Sequence, residues 1–359
     1  MDRVSTDVLV EILQRLPHSS RRRHARHVCR RWRDAVNNRI TETPSTPKLL
    51  IWSRSQAIAY VADDLSPSST GSCTELWRPR SHHHLIASCN GLLCMYNRGD
   101  IMGGAITVAN PSTGETMPLL PMPCAANFIG RHGWEDWHDA YSFAYHPTTG
   151  QFKVVHVPCS YERVYDFHAV HVFTLGNTTW REVSAGPSGA MCKLEAGVVS
   201  VHGMTYWVTI TRGAAAKIVS FDLTDDRVIS ATTPVPARHD HCRLTEVHGR
   251  LGYIVWPDVW VLVEGKRWIH RYSFEEGIPR QHFVYGEYVL TCNSSSSSFY
   301  GHRLIGSDNN NVVLIGHDKK TLVAKWAYAP QRYYYDSDNY VTFAYVETME
   351  PLSVYSKNK

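Results

Sequence analysis

Val201-His202-Gly203-Met204-Thr205-Tyr206-Trp207 is echoed 46 residues later by Val247-His248-Gly249-Arg250-Leu251-Gly252-Tyr253. Trp180 and Trp268 stand 88 residues apart, close to twice that period. A repeat of about 40–50 residues with several strands per unit is the pattern of propeller blades. The 311 residues from 49 to 359 hold about 6.8 such periods. The reading is therefore an all-β domain built as a β-propeller of six or seven units, with a pair of β-sandwiches as the alternative.

The sequence around the echo is strand-rich and almost without helical periodicity. Leu85-Ile86-Ala87-Ser88-Cys89 and Leu92-Leu93-Cys94-Met95-Tyr96 flank Asn90-Gly91, a strong hairpin turn. Asn110-Pro111-Ser112-Thr113-Gly114 and His146-Pro147-Thr148-Thr149-Gly150 are two similar proline-to-glycine turns. The second leads into Gln151-Phe152-Lys153-Val154-Val155-His156-Val157, a clean strand. Val170-His171-Val172-Phe173-Thr174 precedes a Gly176-Asn177 turn and Trp180. The serines 294–298 read as a flexible tract.

The chain has 359 residues, which suggests about two domains and is ample for a large core. Hydrophobic residues make up 43% and charged residues 19%, which excludes a disordered polyelectrolyte. No window approaches the roughly 20 apolar residues of a membrane span, so no membrane association is expected. Charges at Asp2, Arg3, Asp7, Glu11 and Arg15 do not suit a signal peptide. Nine scattered cysteines read as reduced thiols of the cytoplasm or nucleus.

Charge is uneven. Residues 1–40 hold ten Arg against four acids, so this head carries +6 and the remainder −2. A nearly neutral body is not a nucleic-acid-binding surface, and nucleic acid is not an expected partner. The head reads as two short helices. Ser5 is a suitable N-cap, Asp7 complements the positive helix end, and Val4 with Leu9 fits a hydrophobic staple. Val8, Leu9, Ile12, Leu13 and Leu16 fall on one stripe, and Pro17 stops the helix. Ser19 or Ser20 can cap a second helix with a stripe of Ala25, Val28, Cys29, Trp32 and Val36. Arg22, Arg23, Arg26, Arg30 and Arg33 lie opposite. So small a unit cannot bury both stripes alone, so a partner or the next domain should cover them. Residues 41–48 (Thr-Glu-Thr-Pro-Ser-Thr-Pro-Lys) form an extended, proline-punctuated linker. The organisation is a helical head over 1–40, a linker over 41–48 and a β domain over 49–359.

The head resembles an F-box. Asp7-Val8-Leu9-Val10-Glu11-Ile12-Leu13-Gln14-Arg15-Leu16-Pro17 and Val28-Cys29-Arg30-Arg31-Trp32-Arg33 match that family in order and spacing. The family usually opens with Leu-Pro where this chain has Val4-Ser5. It often carries apolar residues where Arg21-Arg22-Arg23-His24 stands. The body resembles the F-box-associated, kelch-like domain that follows plant-type F-boxes. The matching pieces are Ser88-Cys89-Asn90-Gly91-Leu92-Leu93-Cys94, the 110–114 turn, Tyr141-Ser142-Phe143-Ala144-Tyr145-His146-Pro147, Phe152-Lys153-Val154-Val155, Trp180-Arg181-Glu182-Val183, the 203–207 run and Phe221-Asp222-Leu223. The resemblance implies a non-catalytic substrate-recognition subunit of an SCF-type E3 ubiquitin ligase. Its head would bind a Skp-type adaptor, and through it a cullin-RING ligase. Its β domain would recruit a protein substrate for ubiquitination. Val8, Leu9, Ile12, Leu13, Leu16, Pro17, Val28 and Trp32 are the candidate adaptor-binding residues.

Catalytic, cofactor and metal signatures are not found. His82-His83-His84 reads as a surface loop. His239, His241 and Cys242 have no evident fourth metal ligand. His168 and His171 read as packing or surface histidines, and Cys89 and Cys94 as core. P-loop, dinucleotide and nucleophile-elbow motifs do not occur. Forty aromatic residues mainly serve the core. Trp134 and Trp137, in an acidic loop, and Tyr333 and Tyr334 are candidate substrate-binding anchors. Two other functions fit the pattern: a non-ligase interaction scaffold, and a glycan- or small-molecule-binding propeller.

Overall fold

The structure is a computed structural model of the chain. It describes residues 5–15, 28–29, 31–32, 35, 47–54, 56–62, 73–79, 83–97, 105–123, 137–161, 165–185, 191–209, 217–232, 242–255, 258–264, 267–273, 282–285, 288–293, 298–303, 305–306, 312–313, 320–322 and 340–356. One helix, α1 (Thr6–Arg15), precedes an all-β body.

Blade 1 combines β1 (Lys48–Ser53), β2 (Ile58–Ala62) and β3 (Cys73–Trp77) with the last strand of the chain. Blade 2 is β4 (His83–Cys89), β5 (Leu92–Asn97), β6 (Ala105–Asn110) and β7 (Glu115–Pro118). Blade 3 is β8 (Tyr141–His146), β9 (Gln151–His156), β12 (Ala169–Thr174) and β13 (Arg181–Ser184). A small hairpin, β10 (Cys159–Tyr161) with β11 (Tyr165–Phe167), interrupts it. Blade 4 is β14 (Val198–Val201), β15 (Met204–Thr209), β16 (Lys217–Asp222) and β17 (Arg227–Thr232). Blade 5 is β18 (Cys242–Val247), β19 (Arg250–Val255), β20 (Asp258–Val263) and β21 (Arg267–Ser273). Blade 6 is β22 (His282–Tyr285), β23 (Tyr288–Asn293), β24 (Ser298–Arg303) and β27 (Lys320–Leu322), with the pair β25 (Ile305–Gly306) and β26 (Val312–Val313) between its last two strands. The final strand, β28 (Tyr340–Tyr345), returns to blade 1.

Each of these six sheets is a four-stranded antiparallel meander. The first strands β4, β8, β14, β18 and β22 and the returning β28 neighbour one another in a closed circle. This is a β-propeller, and the sandwich-pair alternative is corrected: each sheet packs between two neighbours in a ring. Among the described residues, apolar clusters fill the seams between blades 1 and 2, among blades 2 to 4, and between blades 4 and 5. Second strands are covered on both sides, so they are buried almost continuously. In β5, Leu92 to Tyr96 are all buried, and in β1 so are Leu49 to Ser53. This is why these segments read as apolar runs rather than alternating ones.

The sequence echo marks the first turn of a blade. Asn90-Gly91, His202-Gly203 and His248-Gly249 close two-residue hairpins, pairing Cys89 with Leu92, Val201 with Met204 and Val247 with Arg250. Both residues of each turn have positive φ, 46° and 82°, 49° and 76°, and 48° and 72°. Such paired positive values define the type I′ turn that fits strand twist. Glycine has a second purpose here. A Cβ on Gly203 would sit 2.9 Å from His146 Cδ2 of blade 3, and one on Gly249 3.1 Å from His202 Nε2 of blade 4. Each imidazole thus seats on the turn of the next blade. Trp180 and Trp268 also correspond, at the outermost strands of blades 3 and 5.

The period is less regular than 46 residues, because the innermost strands begin at residues 83, 141, 198, 242, 282 and 340. The Asn110 and His146 turns form as expected, with Gly114 N–H donating to Asn110 O (2.9 Å) and Gly150 N–H to His146 O (2.8 Å). Two expectations are corrected. His83 and His84 are not in a loop: they open the inner strand β4, half-buried and paired with Asn97 and Tyr96. His82 lies outside the described residues. Ser298 opens strand β24, and residues 294–297 lie outside the described residues.

A buried ion pair ties blade 3 to blade 4. Lys153 Nζ donates to Asp226 Oδ1 and to Leu223 O, both at 2.6 Å, and Arg181 Nη1 reaches Asp226 Oδ2 at 3.2 Å. Nearby, Thr149 N–H donates to His146 Nδ1 (3.1 Å), which leaves Nε2 as the protonated nitrogen facing Thr224 Oγ1 at 2.8 Å. At the other end of β9, His156 is fully buried, with its ring 4.7 Å from Tyr141 and 4.8 Å from Phe167. Burial, and secondarily the neighbouring His171, pushes its pKa down to about 3.

Two outcomes follow for stability. Gly203→Ala and Gly114→Ala impose similar positive-φ strain, 76° and 73°, but a Cβ on Gly114 meets nothing within 4 Å. Chemical denaturation should show a loss of about 1 kcal/mol for Gly114→Ala and about 2–4 kcal/mol for Gly203→Ala. Equal losses would remove the blade contact as the reason for Gly203. Because the folded pKa of His156 lies below its unfolded value near 6.5, its contribution is intact above that pH. It is lost as pH falls from there toward about 3, by up to about 1.4 kcal/mol per pH unit. His156→Phe should flatten that limb of the stability profile, and an unchanged slope would contradict the assignment.

Candidate partner-binding surfaces

Helix α1 begins where the sequence caps it. Val8 N–H donates to Ser5 Oγ (3.3 Å) and Leu9 N–H to Ser5 O (3.0 Å). Asp7 occupies the first turn and Arg15 the last, so both helix ends are complemented in charge. Arg15 also pairs with Glu11 at 2.7 Å, fully in solvent, where such pairs contribute little.

The apolar stripe divides into two edges. Leu9 and Leu13 are 4% and 0% exposed and pack with Ala35, Val10 and Trp32. Val8 and Ile12, one turn apart, are 48% and 46% exposed, and Val28 is 52% exposed. Arg31 Nη2 donates to Thr6 Oγ1 (3.3 Å), which holds the second segment against the first. The expected stripe of the second helix is therefore corrected. Val28 and Cys29 face solvent, and Ala35 joins Trp32 on the buried side because Leu9 and Leu13 dock there. Leu16, Pro17, Ala25 and Val36 lie outside the described residues. An exposed apolar edge on a helix whose other edge is buried is a surface suited to a partner protein.

The ring presents two unlike faces. Each blade has an even number of strands and so returns the chain to the face where it began. On one face the strands of blades 2 to 5 are joined by short turns, such as 90–91, 111–114, 147–150, 202–203, 223–226 and 248–249, while blades 1 and 6 have the longer connections 63–72 and 304–319 there. Strand β1 starts on this face, so the chain enters the ring there at residue 47. On the other face strand ends are joined by long segments, such as 119–140, 185–197, 233–241 and 323–339. Long connections on a rigid scaffold are where recognition residues concentrate. Trp134 and Trp137 belong to the first of these segments, and Tyr333 and Tyr334 to the last. Trp134, Tyr333 and Tyr334 lie outside the described residues, and Trp137 opens a 3-10 turn (Trp137–Ala140) leading into blade 3. Sequence reasoning missed Leu120, an exposed apolar residue on this face, whose carbonyl accepts from Trp180 Nε1–H at 2.8 Å. Its neighbour Leu119 is buried, and nothing in the adjacent pair of leucines distinguishes them.

Two groupings have the residue types of a catalyst without its geometry. His156 Nε2 lies 3.9 Å from Cys159 Sγ, but both residues are fully buried, out of reach of a substrate. On blade 5, His270 Nε2 is 3.2 Å from Asp258 Oδ1 and 3.0 Å from Ser273 Oγ, and Ser273 Oγ–H donates directly to Asp258. A hydrolytic relay requires the carboxylate and the serine on opposite imidazole nitrogens. Among the described residues no three His, Cys, Asp or Glu side chains are grouped to hold a metal ion. No helix among them is long and apolar enough to cross a membrane.

Comparison with known proteins agrees with this two-part architecture. Residues 52–299 match the family described as F-box associated beta propeller domain, and residues 1–41 match the F-box domain. A curated Arabidopsis thaliana protein named as an F-box protein is 22% identical over 287 residues, covering 74% of this chain and 87% of its own length. Among solved structures, the chain is similar to YjhT, with 13% identity over 76% of this chain and 98% of that one, at a TM-score of 0.46. It is also similar to a chain of the nidogen/laminin complex, with 13% identity over 72% of this chain and 89% of that one, at a TM-score of 0.45. The chain belongs to the F-box-associated β-propeller family and carries an F-box domain at its N-terminal end.

Proposed function

We propose that this chain is the substrate-receptor subunit of an SCF-type ubiquitin ligase. The observation that carries the reading is the divided F-box helix. Leu9 and Leu13 are committed to the head's own core, while Val8, Ile12 and Val28 form an uncovered apolar edge. That edge is the docking surface for a Skp-type adaptor, which connects the chain to a cullin-RING assembly. Trp32 supports the edge from behind. Leu16 and Pro17 belong to the same docking surface on the family's pattern.

The propeller holds the protein to be ubiquitinated on its long-segment face, with Trp137, Trp134, Tyr333, Tyr334 and Leu120 as anchors. The chain itself performs no bond chemistry. It converts a diffusional encounter into a high effective concentration of target beside the ligase. Cytoplasm and nucleus are the compartments this role implies, in keeping with the free cysteines Cys29, Cys89, Cys94, Cys159, Cys192 and Cys242.

The choice of variant matters. A charge at fully buried Leu13 would unfold the head whatever its partner. Val8→Asp with Ile12→Asp alters half-exposed positions and leaves the Leu9–Leu13 edge intact. Co-purification and titration with the Skp adaptor should show affinity weakened by about 30-fold or more, with the circular dichroism and melting temperature of the full chain unchanged. Undiminished adaptor binding by this variant would reject the docking surface.

A further inference from the structure

Strand β28 ends at Tyr345 on the short-turn face, yet the chain stays on the ring through residues 346–356. It runs from blade 1 beneath blade 2 and ends against blade 3. Its path is marked by side chains that recognise its backbone. Asn110 Nδ2 donates to two of its carbonyls, Thr348 O at 3.1 Å and Glu350 O at 2.7 Å. Leu352 N–H donates to Glu115 Oε2 at 2.7 Å. At Gly91 the backbones approach so closely that a Cβ would fall 2.3 Å from Val346 O.

Three side chains of the segment are buried. Leu352 and Tyr355 enter the core shared by blades 2 to 4, and the Tyr355 ring meets Phe152 edge-on, with centroids 6.0 Å apart. Glu350 is buried too, and Tyr355 O–H donates to its Oε1 at 2.7 Å. Met349 and Val354 alternate outward into solvent.

Asn110 serves two purposes with its two amide atoms. Its Oδ1 accepts from Ser112 N–H (2.9 Å) and Thr113 N–H (3.4 Å), closing its own turn. Its Nδ2 is thereby turned outward to the passing segment. Ser112 Oγ also lies 3.2 Å from the Tyr345 hydroxyl, at the end of the inner strand. The Asn-Pro-Ser-Thr-Gly-Glu run of residues 110–115 is thus a preformed receptor for an extended peptide, with Gly91 as its floor and Phe152 at its far end.

We propose that this groove is a peptide-binding site whose ligand is the chain's own 346–356 segment, and that its seating clasps the ring shut. Strand β28 is the piece of blade 1 contributed from the far end of the chain, and its partner is β1. Bond pairing alone lets a terminal strand fray. A segment anchored across two further blades holds β28 at its exit and so keeps the seam between chain ends closed.

Hydrogen exchange of the full chain tests this with Asn110→Asp, Tyr355→Ala and the double variant. Aspartate keeps the acceptor for Ser112 and Thr113 and loses both donors to the segment. Each single variant should speed exchange in 340–356 and in 48–53 by about tenfold, with 242–273 unchanged. The double variant should match the singles, since both release the same clasp. Wild-type exchange in 340–345 for either variant overturns the proposal. So does equal acceleration in all blades, or summed effects in the double variant.

Discussion

The pairing of β1 with β28, from Lys48 opposite Tyr345 to Ser53 opposite Tyr340, is the constraint on which the rest of the molecule depends. Chain ends far apart in sequence form one sheet, and six meanders become a ring rather than an open stack. An open stack would leave an exposed edge and an uncovered apolar face at each end. The pairing also fixes direction. Because every blade returns the chain to one face, residue 47 enters the ring on one side and the connections between successive blades lie on the other.

Between blades, cohesion combines apolar seams with a few specific polar contacts. His146 over Gly203 and His202 over Gly249 show how closely successive first turns nest. The Lys153–Asp226 pair adds charge to the seam of blades 3 and 4. A buried pair of this kind is weak evidence for stability, because desolvation offsets much of its attraction, but losing one partner leaves a stranded charge. It therefore favours one alignment of the two blades over others.

Much of the ring was legible in the sequence because turn chemistry is local. Asn90-Gly91 and the 110–114 and 146–150 turns are specified by residues within the turns themselves. The even period was not legible, since insertions of different length separate the blades. Nor was the start of β4 at His83, because histidine carries no strand signal. Helical spacing grouped Val8, Leu9, Ile12 and Leu13 on one stripe, but which edge is covered depends on where Trp32 and Ala35 pack. The path of residues 346–356 was equally hidden: its partners Gly91, Asn110 and Phe152 lie more than two hundred residues earlier, and its own run has no strand or helix period.

The central claim is that the head's partner and the target occupy opposite faces of one ring. Amine-reactive cross-linking of the full chain bound to its Skp adaptor tests it most directly, through lysines whose faces are known. Lys48 opens β1 on the short-turn side, whereas Lys193 and Lys217 lie at strand entries on the long-segment side. The account predicts cross-links from the adaptor to Lys48 and none to Lys193 or Lys217. Cross-links concentrated at Lys193 and Lys217, with Lys48 unmodified by the adaptor, would contradict it.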